Sequence, residues 1–197
     1  YSSTLLALGY KEKAISALEE MNNVSLSDLP LYTSAAKALS STNKSDEALS
    51  VLKRFDNLVE GETDTFVELN INKLALDDLN ALANLESLDE AQSSDSVKTA
   101  LASFYLSRNE FDKAAKIADD FAQSEETLYT AKVIEAFIAL KQEAPDVSEK
   151  FNLLFELDEN SLPALFYFIN ENIEAEQYEQ ALAFSERLQN QIPGSVI

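Results

Sequence analysis

The 197-residue chain has no cysteine, no histidine and no tryptophan, and only three glycines and four prolines. Without cysteine there is no disulfide framework, no thiolate nucleophile and no cysteine metal site, whatever the compartment. Without histidine the commonest general base and most transition-metal ligand sets are gone as well. Gly9, Gly61 and Gly194 stand apart from one another, so no glycine-rich loop is available to hold a phosphate. So little glycine and proline also leaves too few turn signals for a β-protein. No apolar run approaches the roughly 18 residues needed to cross a bilayer, and no direct membrane insertion is expected. Tyr1 opens the chain without Met or a basic flank, which reads as a processed or excised piece.

Basic residues are scarce too. Lys and Arg number 15 against 35 Asp and Glu, for a formal net charge of -20. A phosphate backbone demands a basic surface, so nucleic acid is excluded as a partner, and anionic membranes are disfavoured for the same reason. The acidity keeps the protein soluble and monodisperse, and it admits a neutral or basic protein or peptide.

What the chain does have is alanine, leucine, glutamate and lysine, all strong helix formers. Apolar residues recur at helical spacing almost throughout, as in "LLALGYKEKAISALEEM" and "FDKAAKIADDFAQ". Polar breaks at "NNVSLSDLP", "STNKSDE", "GETD", "QSSDS", "QSEE", "QEAPD" and "DENSLP" carry Ser, Asp, Asn or Thr able to cap the next helix. The pattern predicts an all-α protein of about twelve helices, each roughly 10–15 residues long.

The helices are not independent. Stepping back from Ala181 meets Val147, Ala114, Ala81, Ala48 and Ala14, at intervals of 34, 33, 33, 33 and 34 residues. Seven positions after each lies a large apolar residue: Leu188, Leu154, Phe121, Leu88, Phe55 or Met21. Four positions after each lies Ser185, Phe151, Ala118, Leu85, Leu52 or Leu18, apolar in five of the six. The physical cause is packing between paired helices. Two helices approach closely only where one presents a small residue, and the large column fills the seam with the next pair. In "EAEQYEQALAFSERLQNQIPGS", Tyr178 thus opens a second helix, Ala181 is its close contact, Leu188 ends its buried stripe and Pro193 follows in the turn.

These repeats resemble the tetratricopeptide-repeat (TPR) family, most fully in "ELDENSLPALFYFINENIEAEQYEQALAFSERLQNQIP" and also in "LGYKEKAISALEEM", "NKSDEALSVLKRF" and "RNEFDKAAKIADDF". Six units cover the chain: a partial one at 1–28, then 29–62, 63–94, 95–127, 128–161 and 162–195. The third unit departs from the pattern, its first helix (Phe66, Leu69) lying out of step with its second. The fifth has Glu135 and Val147 where small residues are expected. The resemblance implies a single right-handed α-solenoid. It also implies a non-enzymatic scaffold whose first helices line a concave groove for an extended peptide.

The residues agree on the absence of chemistry. "SLDEAQSSDS" offers acids without the central glycine of a calcium loop, so it reads as a capped turn. Asp77/Asp78 and Asp119/Asp120 point about 100° apart on a helix and do not converge. No catalytic residue, cofactor or metal is expected.

The positions the resemblance turns inward include Thr33, Lys37, Ser40, Ser96, Thr99, Ser103, Tyr129, Lys132, Ala136, Ala139, Phe166 and Asn170. Some family members grip a terminal carboxylate with Lys and Asn one helical turn apart. Here Lys132 is followed by Ala136 and Asn170 is preceded by Phe166, so that clamp is not present as a set. A partner is expected at Tyr129, Lys132, Phe166 and Asn170, where aromatics, a lysine and an amide come together. The alternative is a structural spacer in a long repeat rod with no specific ligand.

"ALAFSERLQNQIPGSVI" is similar to repeats of exosortase-associated (PEP-CTERM system) lipoproteins. That likeness implies a role in bacterial exopolysaccharide or surface-protein export. It also implies a periplasmic or outer-membrane-anchored location rather than the cytoplasm. Leu5, Leu6 and Leu8 precede the first full pair, and "GSVI" stands where another would begin. The chain is therefore expected to be a fragment that self-associates through its terminal repeats.

Overall fold

A computed structural model describes residues 10–21 and 23–191. Leu5, Leu6, Leu8, Pro193 and the final "GSVI" lie outside the described residues. Those described form eleven α-helices and one short 3-10 turn, and no strand, as the all-α reading expected. The helices are α1 Lys11–Glu19, α2 Leu29–Ser40, α3 Ser45–Lys53, α4 Thr63–Leu74, α5 Leu79–Glu86, α6 Asp95–Ser107, α7 Phe111–Phe121, α8 Leu128–Lys141, α9 Val147–Leu157, α10 Leu162–Glu174 and α11 Tyr178–Gln191. Helices adjacent in sequence pack together: α2 on α3, α4 on α5, α8 on both α7 and α9, and α10 on α11.

Every member of the small column is buried: Ala14, Ala48, Ala81, Ala114, Val147 and Ala181. Phe55, Phe121, Leu154 and Leu188 of the large column are also buried, whereas Met21 and Leu88 are half-buried. Ser185, the one polar member of the middle column, turns its Oγ to donate to the carbonyl of Ala181 at 2.8 Å.

Tight turns join the paired helices with hardly any glycine. Asn43, Asp77, Asn109, Glu143 and Glu176 each adopt a left-handed backbone, with φ between 52° and 64°. They recur at intervals of 34, 32, 34 and 33 residues. The N–H of the next residue (Lys44, Asp78, Glu110, Ala144 or Gln177) donates to the carbonyl five residues back, at 2.7–3.2 Å. This bond closes the first helix of each pair on its own last turn. It also corrects the capping expectation. Only Asp78 (Oδ1 to Asn80 N–H, 3.0 Å) and Ser161 (Oγ to Ala164 N–H, 3.4 Å) cap the α-helices whose N-caps are described. Tyr10, Lys44, Glu62, Glu110, Thr127 and Asp146 make no such side-chain bond. The backbone turn, not the side-chain cap, starts most second helices.

The chain divides into two compact units, residues 1–104 and 105–197. In the first, Tyr32 is fully buried and meets Phe55 edge-on, their centroids 5.1 Å apart. Around them pack Leu18, Leu29, Leu39, Leu52 and Leu69. Charged groups tie this core to its surroundings. The Arg54 guanidinium donates to the carbonyls of Leu18 (2.7 Å) and Met21, and to the Tyr32 hydroxyl at 3.1 Å, which itself donates to Leu18 O at 2.9 Å. Cations are stabilising at the carbonyl end of a helix, so Arg54 holds down the end of α1. Lys73, buried, pairs with Asp56 at 2.9 Å and Asp78 at 3.5 Å. On α4 Asn70 is buried. It donates to Phe66 O at 2.8 Å and accepts from the Asn84 side chain at 2.8 Å, so a polar bridge replaces part of the apolar seam.

The second unit is aromatic. Phe137 meets Phe151 edge-on at 5.7 Å, and Phe151 stacks on Tyr167 at 4.2 Å, their planes 4° apart. Tyr167 touches Phe168, which stacks on Phe155 and Phe184. Arg187 lies over the Phe155 ring, 4.8 Å from its centre.

Candidate interaction site

In the second unit α8, α9 and α10 enclose an open cavity of about 530 Å³. Its floor is the aromatic set Phe137, Phe151 and Tyr167, with Val147 and Ala144 beside them. Stacking fixes Phe151 and Tyr167 against each other, and Phe151 is fully buried, so the floor is rigid. On the rim stand Phe166 and Asn170, one helical turn apart on α10. Phe166 is 52% exposed, although its neighbours Leu165 and Phe168 are buried. Leu140, Pro163, Glu143, Glu171 and Glu174 complete the lining, which contains no basic residue. The Tyr167 hydroxyl donates to Glu171 Oε1 at 2.9 Å. Burial, and then this bond to a carboxylate, push the Tyr167 phenol up to about 12.

The other two expected contact residues are not in this lining. The Tyr129 hydroxyl lies 2.8 Å from Ser161 Oγ, and Ser161, fully buried, caps α10. Tyr129 therefore fixes the start of the helix that carries Phe166 and Asn170. Lys132 is paired with Glu135 on the same helix at 2.8 and 3.0 Å. Glu135, where a small residue was expected, is half-buried, and the small side chain next to it, Ala136, is the buried one.

Several inward positions are corrected. Ala136 and Ala139 are buried in the aromatic core, and Thr33 is buried as well. Thr33, Lys37 and Ser40 border a smaller cavity of about 310 Å³ in the first unit, floored by Ala36, Leu52 and Leu76. Ser96 borders a third cavity, and Thr99 and Ser103 are exposed.

Phe137, Tyr167, Glu171 and Glu174 escaped the sequence reading. The signal for the last three was the run "FYFINENIE" at 166–174. Three consecutive aromatics cannot share one helix face, so at least one must stand outside the core. Among the described residues no helix is long and apolar enough to cross a membrane. No group of three or more acidic side chains among them is arranged to hold a metal ion.

No family model and no curated protein matches the chain. Among solved structures it is similar to a mutant of MamA, a TPR-type helical repeat protein, at 15% identity. The match covers 81% of this chain and 94% of that one, with a TM-score of 0.45. A likeness at this level leaves function to the geometry of the site.

Proposed function

We propose that the protein is a non-enzymatic, TPR-like scaffold that holds a protein partner against α8–α10. The observation that carries this reading is Phe166, a half-exposed aromatic at the mouth of a preformed apolar cavity, with the Asn170 amide one turn away. Aromatic anchors at such pockets supply a large share of interface affinity, and an amide orients a polar chain. Tyr129 supports the site by fixing the start of α10. Lys132 and Glu135 form a charged pair on α8. The net charge of -20 favours a neutral or basic partner. A role in bacterial envelope export, with a lipid-anchored parent chain, is supported only by the C-terminal sequence likeness.

The test is cross-linked recovery of partners from a native extract, using the wild type and a Phe166→Ala/Asn170→Ala variant. Loss of a defined partner with the variant supports the scaffold. Equal recovery by both leaves the spacer reading in its place.

A further inference from the structure

We infer that the α8–α10 cavity receives one short segment of a protein partner, with a large apolar side chain flanked by lysine or arginine. The inference rests on the scaffold reading and specifies the chemistry of its ligand. Its volume of about 530 Å³ lies within the roughly 300–1,000 Å³ range of ligand pockets, and its floor is apolar and fixed by ring stacking. That geometry takes an apolar side chain without rearrangement. Phe166 at the rim extends the apolar contact to a second residue of the segment, and Asn170 offers a donor and an acceptor to its backbone.

The charge requirement comes from where the acids stand. Glu171 and Glu174 occupy the last turn of α10, which has no basic residue. Glu143 follows the last turn of α8, whose one basic residue, Lys141, is outside the cavity lining. The carbonyl end of a helix already carries negative partial charge, so carboxylates there are destabilising and a cation is stabilising. Three carboxylates line one cavity that holds no basic residue, two of them at the wrong end of their helix, so a cation on the incoming segment would complement them. The first unit offers a contrast: Lys73 and Arg54 supply its cations internally. An isolated polyamine would meet the charge but leave the aromatic floor empty, and an acidic or nucleic-acid ligand would meet repulsion.

The experiment uses the full chain and three labelled peptides, read by fluorescence anisotropy. The first carries Leu-Phe between paired lysines, the second replaces the lysines by glutamates, and the third replaces Leu-Phe by Ser-Ser. The first should bind at least about tenfold more tightly than either other peptide, and its affinity should fall as salt rises. Phe166→Ala should weaken it about tenfold, and so should Glu171→Gln/Glu174→Gln, which keeps an acceptor for Tyr167. Phe166 is half-exposed and the glutamines are near-isosteric, so circular dichroism should show both variants folded. Equal binding of all three peptides, binding unchanged by the glutamines, or displacement by spermidine as effective as by the unlabelled first peptide overturns the proposal. If the peptides fail while cross-linked recovery still depends on Phe166 and Asn170, the ligand chemistry falls and the scaffold stands. If both fail, the scaffold falls with it.

Discussion

Residues 1–104 and 105–197 solve the same packing problem with different materials. The first unit joins its helices with charged groups that reach beyond their own helix: Arg54 to the end of α1, and Lys73 to Asp56 and Asp78. The second joins them with rings, from Phe137 through Phe151, Tyr167 and Phe168 to Phe155 and Phe184. A buried ion pair must recover the cost of desolvating both partners, so its net gain is modest while its geometry is specific. A ring stack gains from area and dispersion and leaves flat apolar surface wherever it reaches the outside. The second unit therefore has a preformed aromatic cavity, whereas the cavity beside Thr33 and Lys37 is bordered by hydroxyls and a lysine.

The sharpest break of this comparison is Phe151→Ala. Phe151 is fully buried between Phe137 and Tyr167, so its removal should destabilise the protein by about 3–5 kcal/mol in urea unfolding. It should also abolish the cavity floor. A loss below about 1 kcal/mol would mean that the ring stack does not hold the second unit together.

On the other side, Arg54→Ala leaves the Leu18 and Met21 carbonyls without their charged donor. The expected cost is about 1.5–3 kcal/mol. Hydrogen exchange should localise the loss of protection to α1 and the start of α2, with residues 105–191 unchanged. Exchange that rises uniformly along the chain would show that the two units unfold as one.

Glu176→Gly sharpens the contrast at the turns. The first unit places Asn43 and Asp77 at its left-handed positions, residues that tolerate that conformation, whereas the second uses Glu143 and Glu176 at two of its three. Glycine at 176 should raise the unfolding free energy by about 0.5–1 kcal/mol, less than the full left-handed penalty because glycine loses more entropy on folding. Asn43→Gly should gain less, and an equal gain at both sites would remove this distinction.

The smallest effect is with alkali. Burial raises the phenols of Tyr32 and Tyr167, the second to about 12, above the ordinary value of 10. A phenol raised in the folded state favours folding below pH 10, and that contribution is lost as pH rises through the folded value. Stability should thus fall from about pH 10 to 12, and Tyr167→Phe should flatten part of that fall. An unaltered alkaline limb in the variant would show that Tyr167 does not titrate with folding.

That Phe166 and Asn170 line one cavity was legible because an i, i+4 pair on a helix shares a face whatever surrounds it. Tyr129 and Lys132 satisfied the same local rule, yet the fold committed them to Ser161 and Glu135. Thr33, Ala136 and Ala139 were read as groove-facing and are buried, because how deep a helix sits depends on the helices packed against it.

By itself the sequence determined the helices, their pairing and the columns of Ala and large apolar residues, because these follow from 3.6-residue periodicity and a spacing of 33 or 34. Tertiary structure decided the rest, through contacts the local pattern does not carry. The left-handed backbone at Glu143 and Glu176 has no compositional signal and is imposed by the reversal between packed helices. Arg54 finds Leu18 from 36 residues away, and Tyr129 finds Ser161 from 32. The cavity exists only because Tyr167 turns inward onto Phe151 while Phe166, one residue earlier and about 100° around the helix, is left at the mouth.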